Sequence, residues 1–247
     1  MIRGFLYETG RYFLFLKQVF RKPEKWRISA RQFISEADKL VISSIPLIAL
    51  ISVFIGAVLV IQTSNNMTSP LLPKMYIGYM ARESLVLEFC STMICLILAG
   101  KIGSNISSEI GTMRITEQID AMEMMGINSA NFLVMPKILS TTLLNPLLTM
   151  MSIIMGLLGG YLLVALTGMI KTADYITGVR FAFNGFYIVY SLIKTAVFSF
   201  IISSISSYYG YYAKDGSLGV GKSSTRAIVT ASALILIFNL ILTRVML

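Results

Sequence analysis

The chain has 247 residues, a mean hydropathy of +0.75 and a formal net charge of +9. Only 13% of its residues are charged and 55% are hydrophobic, whereas about 25% of the residues in a soluble domain are charged. This composition favours several membrane spans over a soluble nucleic-acid-binding protein. The absence of histidine and the presence of only two cysteines argue against a zinc or iron–sulfur site.

Residues 1–39 combine aromatic, apolar and basic side chains. The apolar positions recur at helical spacing on both sides of Pro23. They are Phe5, Leu6, Phe13, Leu16, Phe20, Trp26, Ala30, Phe33 and Ala37. This pattern predicts a basic amphipathic helix that lies in the plane of the lipid headgroups. The alternative is a helix that packs on the cytoplasmic surface of the protein itself. We expect no cleavable signal peptide, because the first long apolar run begins near Leu40.

Five apolar runs follow, and a helix needs about 20 residues to cross the hydrocarbon core. The predicted spans are 40–62, 84–106, 138–167, 185–209 and 226–247. Their flanks place 15 of the 21 basic residues on the side of the N-terminus. Because cytoplasmic flanks are rich in Lys and Arg, we expect a cytoplasmic N-terminus and a periplasmic C-terminus in a bacterial inner membrane. The prediction is an all-α membrane protein of one domain, residues 1–247, with an interfacial segment (1–39) and a five-span bundle (40–247).

The loop between the second and third spans, residues 107–126, reads SSEIGTMRITEQIDAMEMMG. It predicts a short helix over residues 116–125, with Thr116 as its N-cap and Gly126 just beyond its end. The acidic and methionine residues of the whole loop, 107–126, are Glu109, Glu117, Asp120, Glu123, Met113, Met122, Met124 and Met125. Methionine adapts to the surface of a partner, so one interpretation is a docking helix for a cytoplasmic protein. A merely solvated loop helix is the equal alternative.

Glu88 and Lys194 lie inside predicted spans. An ionised group at that depth costs about 2.5–3.5 kcal/mol on insertion scales, so it usually faces a cavity or a partner. Our hypothesis is that both residues line a polar patch of a transport pathway, with an ion pair as one version of it. The alternative places Glu88 at the outer interface and lets Lys194 reach the headgroups along its own stem. We favour the first interpretation because Lys194 lies near the middle of its span.

Residues 216–223, GSLGVGKS, match the phosphate-binding pattern G-x-x-x-x-G-K-S. That motif requires a preceding strand, a following helix and a magnesium-binding acid on a neighbouring strand. Here the motif lies between two membrane spans, so we reject nucleotide binding. We expect a tight turn between the fourth and fifth spans instead.

The stretch AGKIGSNISSEIGTMRITEQIDAMEMMGINSANFLVMPKIL, residues 99–139, resembles the signature of the MlaE family. The matching positions are Ala99-Gly100-Lys101, Gly103-Ser104, Glu109, Gly111, Met113-Arg114, Thr116-Glu117-Gln118, Met125-Gly126 and Pro136-Lys137. Similar matches in the first, fourth and fifth spans extend the resemblance over nearly the whole chain. The chain departs from the family pattern after Glu88, where Phe89-Cys90-Ser91 replaces Leu-Gly-Pro. Tyr187 and Asn239 stand where other members have Asp.

This resemblance implies the permease subunit of an MCE-type ABC transporter that moves phospholipids between the inner and outer membranes. It implies a homodimer, a pair of cytoplasmic ABC ATPases and a periplasmic ring of MCE domains, and it leaves open a small STAS-type regulatory subunit. The chain itself is expected to have no catalytic residue, metal or cofactor, and ATP hydrolysis is expected in a partner subunit.

Two sets of residues follow from this interpretation. The ATPase-coupling set is Arg114, Thr116, Glu117, Gln118, Asp120, Glu123, Met124, Met125 and Gly126. The lipid-pathway set is Glu88, Lys194, Tyr187 and Asn239. Two other classes stay open from the residues alone. An ion-coupled secondary transporter predicts internal repeats and several intramembrane acids, whereas Glu88 is the one candidate acid here. A non-transporting scaffold would leave the two intramembrane charges unexplained.

Overall fold

The structure, a computed structural model, describes residues 2–21, 26–67, 73–214 and 216–247, and the regular secondary structure within them is helical. Five helical stretches are long and apolar enough to cross a membrane, which confirms the all-α class with an N-terminal helix and five spans. We call them spans 1 to 5, and they are Arg31–Asn66, Met75–Ile115, Ser129–Thr167, Gly185–Tyr211 and Gly216–Met246. Each span extends beyond the apolar run predicted for it at one end or at both ends, since the helix continues into polar residues there.

The individual α-helices are α1 (Ile2–Val19), α2 (Trp26–Glu36), α3 (Ile45–Asn66), α4 (Met75–Ser84), α5 (Ile94–Leu98), α6 (Ser104–Ile115), α7 (Gln118–Met124), α8 (Ser129–Thr167), α9 (Thr172–Arg180), α10 (Gly185–Tyr211) and α11 (Gly216–Met246). Span 1 runs from α2 into α3 through π-helical and 3₁₀ turns. Span 2 joins α4, α5 and α6 through two π-helical segments, Leu85–Met93 and Ala99–Gly103. Such wider turns are rare and often mark functional sites.

Spans 1 and 3 pack with their backbones in close approach. A methyl group at Gly56 would overlap the carbonyl of Gly156, and one at Gly159 would overlap the carbonyl of Val53. The hydroxyl of Ser52 donates to that of Ser152 at 2.8 Å. Close backbone approach and interhelical hydrogen bonds drive helix association in lipid, where no hydrophobic force acts between helices.

Span 4 lies at the centre of the bundle, between spans 2, 3 and 5. Hydrogen bonds join it to span 3, since Asn145 donates to Ser199 at 2.8 Å and the hydroxyls of Thr149 and Thr195 lie 3.0 Å apart. Its Gly210 lies against the backbone of span 2. A helix enclosed on several sides is the natural place for side chains that must avoid lipid.

Helix α1 lies against the end of the bundle where span 4 ends and span 3 begins, which we call the N-terminal face. Phe15 and Val19 are buried there, whereas Tyr7, Phe13 and Leu14 are exposed on the other side of the helix. One face of α1 therefore packs on the protein itself, and a second apolar face stays free. Pro23 and the side chains of Phe5, Leu6, Trp26 and Ala30 lie outside the described residues.

The predicted tight turn over residues 216–223 is wrong. Span 4 ends at Tyr211, and helix α11 begins at Gly216. Residues 216–223 therefore form the first turns of span 5, and the positive φ of Gly216, +65°, marks the change of chain direction before them. They are helical because they pack on span 2. Val220 lies against Gly111, and the hydroxyls of Ser224 and Ser104 are 3.3 Å apart.

The close approach of spans 1 and 3 makes Gly56 a sensitive position. We expect Gly56→Ala to destabilise the protein by about 1–3 kcal/mol, as overpacking does, because its methyl group would meet backbone rather than a flexible side chain. Each kcal/mol corresponds to a fall of about 2–4 °C in the unfolding midpoint of a chain of this size. Thermal unfolding in mild detergent measures the change. Gly100→Ala is the control, because nothing lies within 4 Å of a methyl group at that position. Equal midpoints for the two variants would contradict the packing argument.

Candidate functional site

A polar cluster joins spans 2, 4 and 5 inside the bundle. Its members are Glu88, Thr92, Tyr190, Lys194, Asn239 and Thr243. Lys194 Nζ donates to Glu88 Oε1 at 3.0 Å and to the carbonyl of Leu87 at 3.2 Å. The ring of Tyr190 lies 4.9 Å from the same ammonium group. The two intramembrane charges therefore form an ion pair, as one version of the hypothesis predicted.

The second carboxylate oxygen of Glu88 faces span 5. Asn239 Nδ2 donates to it at 3.2 Å, and the Thr92 hydroxyl lies 3.1 Å from it. The Thr92 hydroxyl also lies 3.0 Å from Asn239 Oδ1. Both carboxylate oxygens of Glu88 thus have partners, which is the condition under which an ionised group is tolerated away from water.

The two charges differ in exposure. The side chain of Lys194 is 0% exposed, whereas that of Glu88 is 42% exposed in a single protomer. An ionised carboxylate that faced hydrocarbon would carry a substantial free-energy cost. The open side of Glu88 therefore needs a polar cavity or a second protein surface.

Tyr187 lies outside the polar cluster. Its half-buried side chain packs against the apolar cluster that contains Leu85, Val86 and Cys90. Thr92, Tyr190 and Thr243 belong to the cluster but are not among the residues that the sequence predicts for the site. Each lies four residues from Glu88, Lys194 or Asn239, so the i, i+4 spacing of helix neighbours is the signal that identifies them.

An apolar groove of about 370 Å³ runs between spans 1 and 2. Its lining consists of Leu50, Ile51, Phe54, Ile55, Val58, Leu59, Gln62 and Phe89. Phe89 follows Glu88 in the chain, so span 2 contributes to the polar cluster and to the groove at consecutive positions. Consecutive helix residues do not face each other, and none of the six polar-cluster residues lines the groove.

Helix α7 contains most of the predicted coupling residues, with boundaries that differ from the prediction. It spans Gln118–Met124, and Thr116 is not its N-cap. The hydroxyl of Thr116 donates instead to the carbonyl of Thr112 at 2.8 Å. Glu117 takes the position before the helix in the left-handed region, with φ of +59°. Gly126, with φ of +77°, lies just after the helix as predicted.

Apolar and polar contacts hold α7 on the bundle. Ile119 is buried in the main apolar cluster. Arg114 at the end of span 2 donates to Asp120 at 2.6 Å. The Tyr211 hydroxyl donates to Glu123 at 2.7 Å, and this hydrogen bond lowers the pKa of the Glu123 carboxyl. The short helix is therefore fixed to the protein rather than merely solvated.

The outward side of α7 is apolar at its tip. Met124 is 90% exposed and Met125 is 68% exposed. Thr116, Glu117, Gln118 and Gly126 are also exposed. A flexible apolar side chain that is held in water by a fixed helix is suited to contact with a partner protein.

A second set of charges, which the sequence argument did not select as a site, joins spans 1, 2 and 3. Lys137 is 2% exposed, and its Nζ lies 2.7 Å from both Glu36 and Glu109. Lys39 lies 3.9 Å from Glu109. Glu36 precedes a predicted span and Glu109 and Lys137 lie in a predicted loop, so hydropathy gave no sign that these residues meet. This cluster joins spans 1, 2 and 3 at the ends that the distribution of Lys and Arg predicts to be cytoplasmic.

Comparison with known proteins agrees with this architecture. The family model "Permease MlaE" matches residues 33–245. A probable ABC transporter permease protein of Rickettsia bellii is 36% identical over 200 residues, which cover 81% of this chain and 77% of the relative. One from Synechocystis is 30% identical over 240 residues, covering 95% and 89%. The Arabidopsis thaliana protein "TRIGALACTOSYLDIACYLGLYCEROL 1, chloroplastic" is 28% identical over 225 residues, covering 91% and 64%.

Five long apolar helices identify a multi-pass membrane protein. The chain belongs to the MlaE permease family. It is a membrane subunit of an ABC transporter rather than an enzyme, and ATP hydrolysis lies in a partner subunit. This separates it from an ion-coupled carrier and from a passive scaffold.

The burial of Lys194 predicts strong coupling to Glu88. We expect Lys194→Met and Glu88→Gln each to lower the unfolding midpoint, because each leaves the other partner without a counter-charge. The double variant should recover part of the loss, with a coupling energy of about 0.5–3 kcal/mol, the range for residues in contact. Thermal unfolding of the four proteins in detergent measures the cycle. Lys222→Met, at an exposed lysine, is the control. Additive losses would show that the pair contributes nothing.

Proposed function

We propose that the chain is the membrane-spanning subunit of a transporter that moves phospholipids between the inner and outer membranes of a bacterium. In this proposal a homodimer, each chain a single domain over residues 1–247, works with a pair of cytoplasmic ABC ATPases and a periplasmic ring of MCE domains. The observation that carries the proposal is that span 2 contributes both to a partly open polar cluster, through Glu88, and to an apolar groove, through Phe89.

The chemistry of the two surfaces supports a lipid cargo. Glu88 offers a half-exposed carboxylate next to a neutralising lysine, and Phe89 lines a groove of apolar side chains. A molecule with a polar headgroup and acyl chains has a part that suits each surface, whereas a small hydrophilic solute would match only the first. The Arabidopsis relative is named after trigalactosyldiacylglycerol, a galactolipid, and this name agrees with a lipid cargo.

The exposure of Glu88 supports a dimer. A carboxylate that is 42% exposed in one protomer must meet something other than hydrocarbon. A second copy of the chain that closes a cavity over span 2 would meet this need. In such a cavity Glu88 and Asn239 face the lipid pathway, the buried Lys194 neutralises Glu88 from within the bundle, and Tyr187 contributes to the apolar wall.

Helix α7 supports ATPase coupling at the N-terminal face. The excess of Lys and Arg on that side favours a cytoplasmic position, and α7 presents Met124 and Met125 to the solvent there. In the proposed cycle, closure of the ATPases moves α7, and the dimer cavity opens or closes around a lipid. Arg114 and Asp120 hold the helix, while Glu117 and Gln118 add polar contacts to its exposed surface.

Loss of the exposed methionines tests the docking role. We expect the double variant Met124→Ser/Met125→Ser to recover at least about tenfold less ATPase from mild-detergent membranes than the unaltered tagged chain, because apolar anchors dominate such interfaces. Mass spectrometry of the recovered proteins and lipids gives the measurement, and it also identifies an MCE protein and the cargo. Met169→Ser, at an exposed methionine near the start of α9, is the control. Equal ATPase recovery from both variants would place the docking surface elsewhere, and recovery of the unaltered chain alone would contradict the transporter.

Replacement of Lys194 tests the lipid pathway. We expect Lys194→Ala to lower lipid transfer between proteoliposomes and acceptor vesicles by about tenfold or more, because Glu88 then keeps an uncompensated charge at a cost of about 2.5–3.5 kcal/mol, and each 1.4 kcal/mol corresponds to a factor of about ten. The ATPase should still co-purify, because Lys194 lies far from α7 along span 4. Lys171→Ala, at an exposed lysine, should transfer lipid normally. Normal lipid transfer by Lys194→Ala would contradict a role of the polar cluster in the lipid pathway.

A further inference from the structure

Helices α1 and α7 are both attached to one short segment of the chain. Helix α7 ends at Met124, and span 3 begins at Ser129 with Asn128 as its N-cap. Residues 125–128 connect α7 to span 3, and we call residues 128–131, the N-cap and first residues of span 3, the junction. Their side chains reach back to α7 and sideways to α1.

The α7 side of the junction centres on one carboxylate oxygen. Ser129 is buried, and its hydroxyl donates to Glu123 Oε1 at 2.9 Å. The Tyr211 hydroxyl donates to the same oxygen at 2.7 Å and lies 2.8 Å from Ser129 Oγ. Hydrogen bonds to an ionised carboxylate are about twice as strong as neutral ones. The last turn of α7 is thus held by spans 3 and 4 together.

The α1 side of the junction uses backbone carbonyls. Asn131 is buried, and its Nδ2 donates to the carbonyls of Val19 and Arg21. Asn128 Nδ2 donates to the carbonyl of Gln18 at 3.1 Å. Carbonyls at the end of a helix have no partner within it. The two asparagines therefore cap α1 from the segment that leaves α7.

Tyr211 contacts both helices. Its hydroxyl bonds to Glu123 of α7, and its ring lies 5.2 Å from the ring of Phe15 in α1. Neighbouring residues strengthen the α1 side, since Tyr208 donates to Glu8 at 2.6 Å and the Arg11 guanidinium lies 3.7 Å from the centre of the Tyr212 ring. The end of span 4 is therefore a shared support for α1 and α7.

We propose that Asn128, Ser129, Asn131 and Tyr211 are positioning residues that join α1 to α7, so that α1 fixes the orientation of the helix that meets the ATPase. The inference rests on the proposed docking role of α7. Its physical basis is that α1 and α7 share two supports, the first turn of span 3 and Tyr211, so a displacement of either helix is felt by residues that also contact the other. Because α1 keeps a free apolar face with Tyr7 and Leu14, it also resists displacement from a membrane surface. Helix α1 thus becomes part of the coupling apparatus rather than an independent anchor.

Two variants and a matched control separate this role from general stability. Tyr211→Phe removes only the hydroxyl that bonds to Glu123. Asn131→Leu removes the donor to the carbonyls of Val19 and Arg21 and leaves Glu123 with its partners. Tyr209→Phe removes a hydroxyl at the same end of span 4 that bonds to Thr230 at 3.3 Å instead.

The full chain in lipid nanodiscs is labelled with nitroxides at Tyr7 and Met124, which are both exposed. Pulsed electron paramagnetic resonance then gives the distance distribution between α1 and α7. Unlabelled chains in complex with the ATPase give ATP turnover and lipid transfer.

We expect one narrow distance distribution for the unaltered chain and for Tyr209→Phe. Tyr211→Phe and Asn131→Leu should raise the displaced population about tenfold, as the loss of one buried hydrogen bond does, and should lower the lipid moved per ATP while the ATPase stays bound. Unchanged distances in both variants would contradict the claim that the junction residues hold α1 and α7 in a fixed arrangement. Changed distances with an unchanged ratio of lipid to ATP would overturn its role in coupling. An ATPase that fails to bind even the unaltered chain contradicts the proposed function, and the distances still test the junction independently.

Discussion

The ammonium group of Lys194 is completely buried, and its need for a counter-charge ties three spans together. Span 4 supplies Lys194, span 2 supplies Glu88 and the carbonyl of Leu87, and span 5 supplies Thr243. Removing either charge leaves the other without compensation in a poorly solvating environment. Because these bonds are directional, they fix how far each span lies along its neighbours. The π-helical turns of span 2 occur at this point, where the backbone departs from the regular helix next to the ion pair.

Span 4 connects the two regions of functional interest. It contributes Lys194 to the polar cluster and Tyr211 to the support of α7. The two residues lie about 25 Å apart along a helix with a rise of 1.5 Å per residue. A helix packed on several sides transmits displacement better than a loop does, so span 4 offers a direct route between ATPase contact and lipid pathway in the proposed transporter. The charges around Lys137 hold spans 1, 2 and 3 together at the same end as α7.

The sequence predicted the members of the site to different extents. Glu88 and Lys194 stood out because charges are rare in apolar runs, and the structure pairs them. Thr92 and Thr243 did not stand out, because hydroxyl residues are common in spans and satisfy themselves on their own helix. The residue type of Thr116 predicts a cap, but the left-handed conformation of Glu117 separates α6 from α7 and places the start of α7 after it.

The number of spans, the all-α class and the family signature followed from the sequence alone. Within a bilayer each backbone must satisfy its own hydrogen bonds, so local hydropathy decides where helices form. The tertiary structure decided that α1 packs by Phe15 and Val19, that Lys137 is buried between two acids, and that residues 216–223 begin a helix. These features depend on contacts between residues far apart in the chain. No local pattern encodes such contacts, because the partner that makes each one favourable lies on another helix.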